Sequence, residues 1–411
     1  MSDASKLTVF SQPAIARLGR YEVLGRFAEG GMAEVFLARE RAPGGATRIL
    51  ALKRMRPHVA RDAAVREMFE REGRLAMELR HPNICPVFEY GEDGGIPFLA
   101  MEWVHGVALS ELIERAPGTL PMEYVLRIVS DVAAALHAAH TARSADGTPL
   151  RIVHRDVTPE NIMIAFDGTV RLLDFGIAKA AIQRGKTEEG ILKGKIGYMA
   201  PEQFAKGSAE VDARADVFAL GVCFYEALVG KPLFERESHA ETMAAIVVGE
   251  LPAPPSHERA DIPMSVDAVF RRAVARHVGD RYATADDFAR DLERAAASDP
   301  AGPVRATALA ALLDAVFPGE RDAAPTLDRT PIAGLEQERA KAARDLERPS
   351  MEAELDQLSD EVASASKRKQ RMLIVLAVAV VLLAALAVAM AVMNAPSPGG
   401  PASPVPGAVE P

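Results

Sequence analysis

The chain has 411 residues, 49% of them hydrophobic, enough for a packed core and for two or three domains at roughly 100 to 200 residues each. Its 48 Lys and Arg against 57 Asp and Glu leave a net charge of −9, so no overall field attracts nucleic acid and none is expected as a partner. Two cysteines, Cys85 and Cys223, suit a reducing compartment better than a disulfide-held secreted scaffold, although a single disulfide stays formally open.

Residues 1–20 contain no basic stretch followed by an apolar one, so they read as an N-terminal extension without a secretory signal. From Tyr21 the chain opens with short β-rich runs, YEVLGRFA, EVFLARE and RILALKRM, and continues to Asp299 with long helical stretches patterned in Ala and Leu. A β-rich lobe followed by a helical one is an α+β arrangement. Residues 300–317 add one more helical stretch, whose Leu309, Leu312, Leu313 and Val316 form a face for the second lobe. Residues 318–371 are rich in charge, Ala, Pro and Ser and read as a polar linker that does not fold alone. Within it Met351, Leu355, Leu358 and Val362 fall at near-heptad spacing. That suits a solvated juxtamembrane helix and leaves homodimerisation open, because two heptads fall short of the three or four a coiled coil requires.

Met372 to Met393 is unbroken apolar sequence, long enough at 1.5 Å per residue to cross a hydrocarbon core of about 30 Å. A buried core helix competes with this reading, but such helices rarely exceed about 14 residues without a polar position. Lys367, Arg368, Lys369 and Arg371 precede the span, and no Lys or Arg follows it. The excess of positive charge puts the N-terminal part in the cytoplasm, with the span in the cytoplasmic (inner) membrane. Residues 394–411, rich in Pro, Gly and Ser, form a short extracytoplasmic tail, and no sensor domain is expected there.

Three motifs in the globular part carry chemistry: His154-Arg155-Asp156-Val157-Thr158-Pro159-Glu160-Asn161, Asp174-Phe175-Gly176 and Ala200-Pro201-Glu202. In this order and spacing they resemble the catalytic loop, metal loop and substrate-loop end of eukaryotic-like protein kinases. The wording GGMAEVFLAR, HRDVTPENIM, DFGIAK and GYMAPEQ is most similar to bacterial membrane-bound (Hanks-type) Ser/Thr kinases, especially those of myxobacteria. The resemblance covers about residues 21–295. It implies a two-lobed kinase fold that binds ATP and Mg²⁺ and phosphorylates protein substrates.

Phosphoryl transfer needs charge neutralisation and alignment more than covalent chemistry, and the resemblance distributes those tasks. Asp174 and Asn161 would hold Mg²⁺, and Asp156 would accept the proton of the substrate hydroxyl. Lys53 would grip the α and β phosphates, with Glu72 as its helical partner, placed by its spacing to His81; Glu67, Glu70 and Glu78 compete for that role. Phe27, Ala28, Gly30 and Val35 would cover the nucleotide. Glu102 to Val104 would bind adenine, with Met101 behind it. Asp216 and Arg281, the latter paired with Glu202, are architectural. Arg155 would bind a phosphate on the activation segment, where Thr187 is the candidate phosphosite.

Two departures from the family pattern stand out. Ala28 and Ala33 replace the first and third glycines of the nucleotide loop, and an alanine methyl resists positive φ and close phosphate approach. The position two after the catalytic aspartate, usually lysine, is Thr158, while Lys195 stands where the family's activation segment usually has threonine. These substitutions form either a reciprocal exchange, with Lys195 supplying the missing cation, or two independent losses. The reading expected is a membrane-anchored Ser/Thr kinase, probed against two rivals. One is a pseudokinase scaffold, and the other a small-molecule kinase on the same fold.

Overall fold

The computed structural model describes residues 14–42, 44–116, 118–175, 195–204, 211–298 and 302–328, together with positions 340 and 344. The expected span at 372–393, the tail after it and Thr187 lie outside the described residues. Among the described residues no helix is long and apolar enough to cross a membrane.

The first lobe is a six-stranded antiparallel sheet built from β1 (Ala16–Leu18), β2 (Tyr21–Glu29), β3 (Ala33–Arg41), β4 (Thr47–Met55), β5 (Val87–Asp93) and β6 (Ile96–Glu102), in the order β1-β2-β3-β4-β6-β5. On one side Leu18, Tyr21, Val23, Phe36, Ala38, Leu50, Leu52, Phe98 and Ala100 close a small core. Helix α1 (Ala63–Glu78) lies against β5 and β6. It starts where Asp62 Oδ1 accepts from the amides of Ala64 and Val65, at 3.0 and 3.2 Å, the usual remedy for unpaired first-turn donors. Its buried face consists of Val65, Phe69, Glu72, Gly73 and Ala76. Gly73 permits the close approach, since a Cβ there would stand 2.3 Å from Leu99 Cδ2.

After residues 103–105 the chain enters the helical lobe through β7 (Gly106–Ala108), α2 (Leu109–Arg115) and α3 (Met122–His140). A small sheet pairs β7 with β8 (Ile162–Ala165) and β8 with β9 (Val170–Leu172). Helices α4 (Arg214–Val229), α5 (His239–Val247), α6 (Met264–Ala273), α7 (Ala285–Ala297) and α8 (Ala306–Val316) complete the lobe. Helix α4 is apolar around nearly its whole circumference and is buried accordingly, as expected for the central helix of a packed lobe. It stops at Gly230, whose φ of +76° only glycine adopts freely and whose amide closes on Glu226 O at 2.7 Å. Leu309, Leu313 and the following Phe317 attach α8 to the same core.

Candidate active site

The site begins with a buried carboxylate. Asp216, in the first turn of α4, is fully buried and accepts three hydrogen bonds: His154 N and Arg155 N at 2.8 and 2.7 Å, and His140 Nε2 at 2.8 Å. Burial pushes its pKa up, but the hydrogen bond and charge of His140, with His154 and the Arg155 amide, outweigh it and hold the carboxyl below its ordinary value. The central helix thereby grips the catalytic loop by its main chain. His154 is equally buried, and burial lowers its pKa against the raising influence of Asp216. A neutral ring with its proton on Nε2 meets both neighbours, donating to Leu173 O at 2.8 Å and accepting from Asp156 N at Nδ1. One imidazole thus joins the loop of Asp156 to the loop of Asp174.

Strained backbone occurs at the same place. Among the described residues, non-glycine positive φ occurs at Arg151, Arg155 and Asp174, the last two at +63° and +45°. Such conformations persist where the surroundings over-determine them, and here Asp216 and the His154 bridge do so. Asn161 holds the other end of the catalytic loop. Its Nδ2 donates to Asp156 O at 2.7 Å and to Asp156 Oδ2 at 2.8 Å, which leaves its carbonyl oxygen as the atom suited to a cation.

From the first lobe, Lys53 on β4 extends its ammonium to Asp174 Oδ1 at 2.7 Å. It is flanked in register by Val35 on β3 and Leu99 on β6. Glu72 is buried on α1. Val35, Ala51, Met101, Val104 and Leu173 share one apolar cluster. Glu102 is tied down from three directions. Its amide donates to Pro86 O at 2.9 Å, its carbonyl accepts from Cys85 Sγ at 3.6 Å, and its carboxylate accepts from Arg171 Nε at 3.0 Å. Burial raises the Cys85 thiol pKa, so the sulfur remains a protonated donor. Phe27 is half exposed and stands edge-on to Trp103, centroids 4.7 Å apart.

The loop with the two alanines is unstrained. Ala28 pairs with Val35 in β2 and β3, Ala33 pairs with Met55 in β3 and β4, and neither has positive φ. Gly30 closes the turn by donating to Ala33 O at 2.9 Å. The conformational objection to alanine therefore does not apply at these positions. Thr158 is buried, and its hydroxyl has no hydrogen-bond partner among the described residues. Lys195 begins a short 3-10 turn to Tyr198, but its side chain lies outside the described residues.

The architectural pair is bidentate. Arg281, almost fully buried, donates to both Glu202 oxygens at 2.7 and 2.9 Å and also to three main-chain carbonyls. Three contributors gave little sign in the sequence. His140 and Arg171 lie outside every motif, and Trp103 enters the sequence reading only within the stretch Glu102 to Val104.

The donor set fits Mg²⁺ and a nucleotide. Mg²⁺ is held through one or two oxygen side chains plus substrate phosphates, not by an all-protein cage. Asp174 and Asn161 supply such oxygens. Among the described residues no group of three or more His, Cys, Asp or Glu forms a cage that would suggest another metal.

A family model described as the protein kinase domain matches residues 21–285. The tyrosine-protein kinase MasK of Myxococcus xanthus is 43% identical over 284 residues, covering 68% of this chain and 44% of that protein. PknH of Mycobacterium tuberculosis is 37% identical over 300 residues, covering 73% and 45%. The crystal structure of the Mycobacterium tuberculosis PknI kinase domain superposes with a TM-score of 0.53 at 30% identity, covering 69% of this chain and all of that one. The chain spans about half or less of the length of the curated relatives it matches. A match across most of both lobes, on a fold whose central helix fixes the loops of Asp156 and Asp174, makes this chain a member of the protein kinase family.

Proposed function

We propose that the chain is an Mg-ATP-dependent protein serine/threonine kinase that transfers the γ-phosphoryl group of ATP to protein hydroxyls and phosphorylates itself. The observation that carries this reading is the meeting of Lys53 with Asp174 at 2.7 Å, beside a loop in which Asn161 orients Asp156 at 2.8 Å. Two lobes thus contribute a cation, an oxygen ligand and a proton acceptor to one cleft.

Bound Mg²⁺, held by Asp174 and Asn161, supplies neutralisation of phosphate charge. Lys53 orients the α and β phosphates, and Glu102 and Val104 offer main-chain groups to the adenine edge. Asp156 accepts the proton of the substrate hydroxyl as its oxygen bonds to the γ-phosphorus and the bond to the leaving ADP breaks. Lys195 takes the role of the lysine absent at position 158, and Thr158 that of the threonine absent at position 195. Thr187 is the autophosphorylation site, and Arg155 receives its phosphate. A cavity of about 340 Å³, lined by Glu160, Ile196, Tyr198, Glu226 and Phe234, lies next to the catalytic loop.

The span at 372–393 anchors the enzyme in the cytoplasmic membrane with its catalytic domain on the cytoplasmic side.

A second reading has support in the name of one relative, MasK, a tyrosine-protein kinase, together with the loss of lysine at Thr158. Purified full chain incubated with Mg-ATP and a generic basic protein, followed by phosphopeptide mapping, separates the alternatives. Phosphoserine and phosphothreonine, including Thr187, are expected. Phosphotyrosine alone selects the second reading, and no phosphate on either protein selects a scaffold. Near-normal labelling by folded Lys195→Met overturns the exchange.

A further inference from the structure

The segment after α8 leaves the helical lobe and crosses to the other one. It departs under firm attachment: Phe317 is fully buried, Glu320 accepts from Arg115 at 2.6 Å, and Arg321 donates to both Asp314 oxygens at 2.6 and 2.8 Å. Arg321 also joins residues Glu102 to His105 in lining a cavity of about 300 Å³ beside the hinge. Farther on, Ala324 and Leu327 pack with Leu24, Leu37, Ile49 and Trp103. At the end, Asp328 and Arg26 exchange both main-chain hydrogen bonds, at 2.9 and 3.0 Å, and their side chains form an ion pair at 3.1 Å.

Strand β2 accommodates this crossing. β1 covers it only from Tyr21 to Val23, so the stretch that runs on toward Ala28 has open main-chain groups on that side, and Asp328 takes those of Arg26. Gly25 leaves space for Leu327: a Cβ at position 25 would lie 2.6 Å from Leu327 Cβ. Arg26 also binds Glu29 and Glu34 at 2.7 and 2.9 Å, so the contact with Asp328 reaches both strands flanking the loop over the nucleotide cleft. Trp103 connects the same cluster to the hinge and to Phe27.

We infer that residues 317–328 form a strap that positions β2 and its loop against the hinge, and thereby sets the affinity of the cleft for nucleotide. The inference rests on the kinase reading. By holding both edges of the cleft, the strap removes part of the ordering cost that a nucleotide would otherwise meet on binding. Ala324, Leu327 and Asp328 are positioning residues, since they act through Arg26 and Trp103.

The test uses the full chain as wild type, Gly25→Ala, Leu327→Gly, the double variant and the volume-conserving Leu327→Met. Calorimetry with a non-hydrolysable ATP analogue and Mg²⁺ measures affinity, and hydrogen exchange follows the amides of Arg26 and Asp328. Both single variants are expected to exchange faster and to bind about fivefold more weakly, the weight of one coupled contact. The double variant should be no weaker than the worse single one, and Leu327→Met should match wild type. Affinity within twofold of wild type despite faster exchange in both single variants overturns the strap, as does unchanged exchange in both. A wild-type chain that binds no nucleotide while its Arg26 and Asp328 amides are protected rejects the kinase reading, and the affinity role with it.

Discussion

At the scale of single residues, the site depends on groups that never touch substrate. Asp216 is the clearest. Asp216→Ala leaves two main-chain amides and the His140 ring facing an apolar interior. At about 1–3 kcal/mol for each stranded donor, the expected loss is at least about 3 kcal/mol in urea unfolding. His154 predicts a pH dependence. Its folded pKa lies below its ordinary value, so the unfolded chain takes up a proton first as pH falls. Stability is then full above about pH 6.5 and declines below it, by up to about 1.4 kcal/mol per pH unit, until the folded pKa is reached. His154→Asn should flatten that slope, leaving the parallel contribution of His81, whose pKa is also lowered. The sequence made the loop of Asp156 and Asn161 legible because its spacing is rigid and local. It concealed His140, which acts through a contact spanning 76 positions, and no local pattern records such a distance.

Elements show the same division between local and distant order. The β-rich runs made the first sheet readable, whereas α4 is apolar around nearly its whole circumference and offers no single face to read. The meaning of individual glycines depended on what lies opposite. Ala28 and Ala33 looked costly from the pattern, yet both stand in paired strand without positive φ, Ala28 just after a shift in register. At Gly106 a Cβ would meet Ile164 O at 2.1 Å and Ala165 Cα at 2.5 Å, atoms of a paired backbone that cannot rotate away. Gly106→Ala should therefore separate β7 from β8 and cost about 1–3 kcal/mol. Chemical denaturation checks this, and an unchanged midpoint would show that the two strands have slack. The crossing of residues 317–328 was invisible in the sequence, where that stretch reads as the start of a polar linker. Two hydrogen bonds from one residue to β2 leave no periodic signature.

For the whole molecule, the proposed membrane anchor carries a consequence of its own. The apolar run at 372–393 predicts that the full chain sediments with membranes and resists extraction by high salt, whereas a chain lacking those residues stays in the supernatant. Recovery of the full chain in the supernatant would contradict the anchor. The central claim, that the cleft between the lobes transfers phosphate, is tested most directly by ³²P transfer from γ-labelled ATP. Purified full chain would be compared with Asp156→Asn at matched melting temperature. The account predicts Mg²⁺-dependent labelling by the wild type and a rate lower by about 10²–10⁴ in the variant, the usual contribution of a positioned proton acceptor. Equal labelling by the two proteins, or none by either, would contradict it.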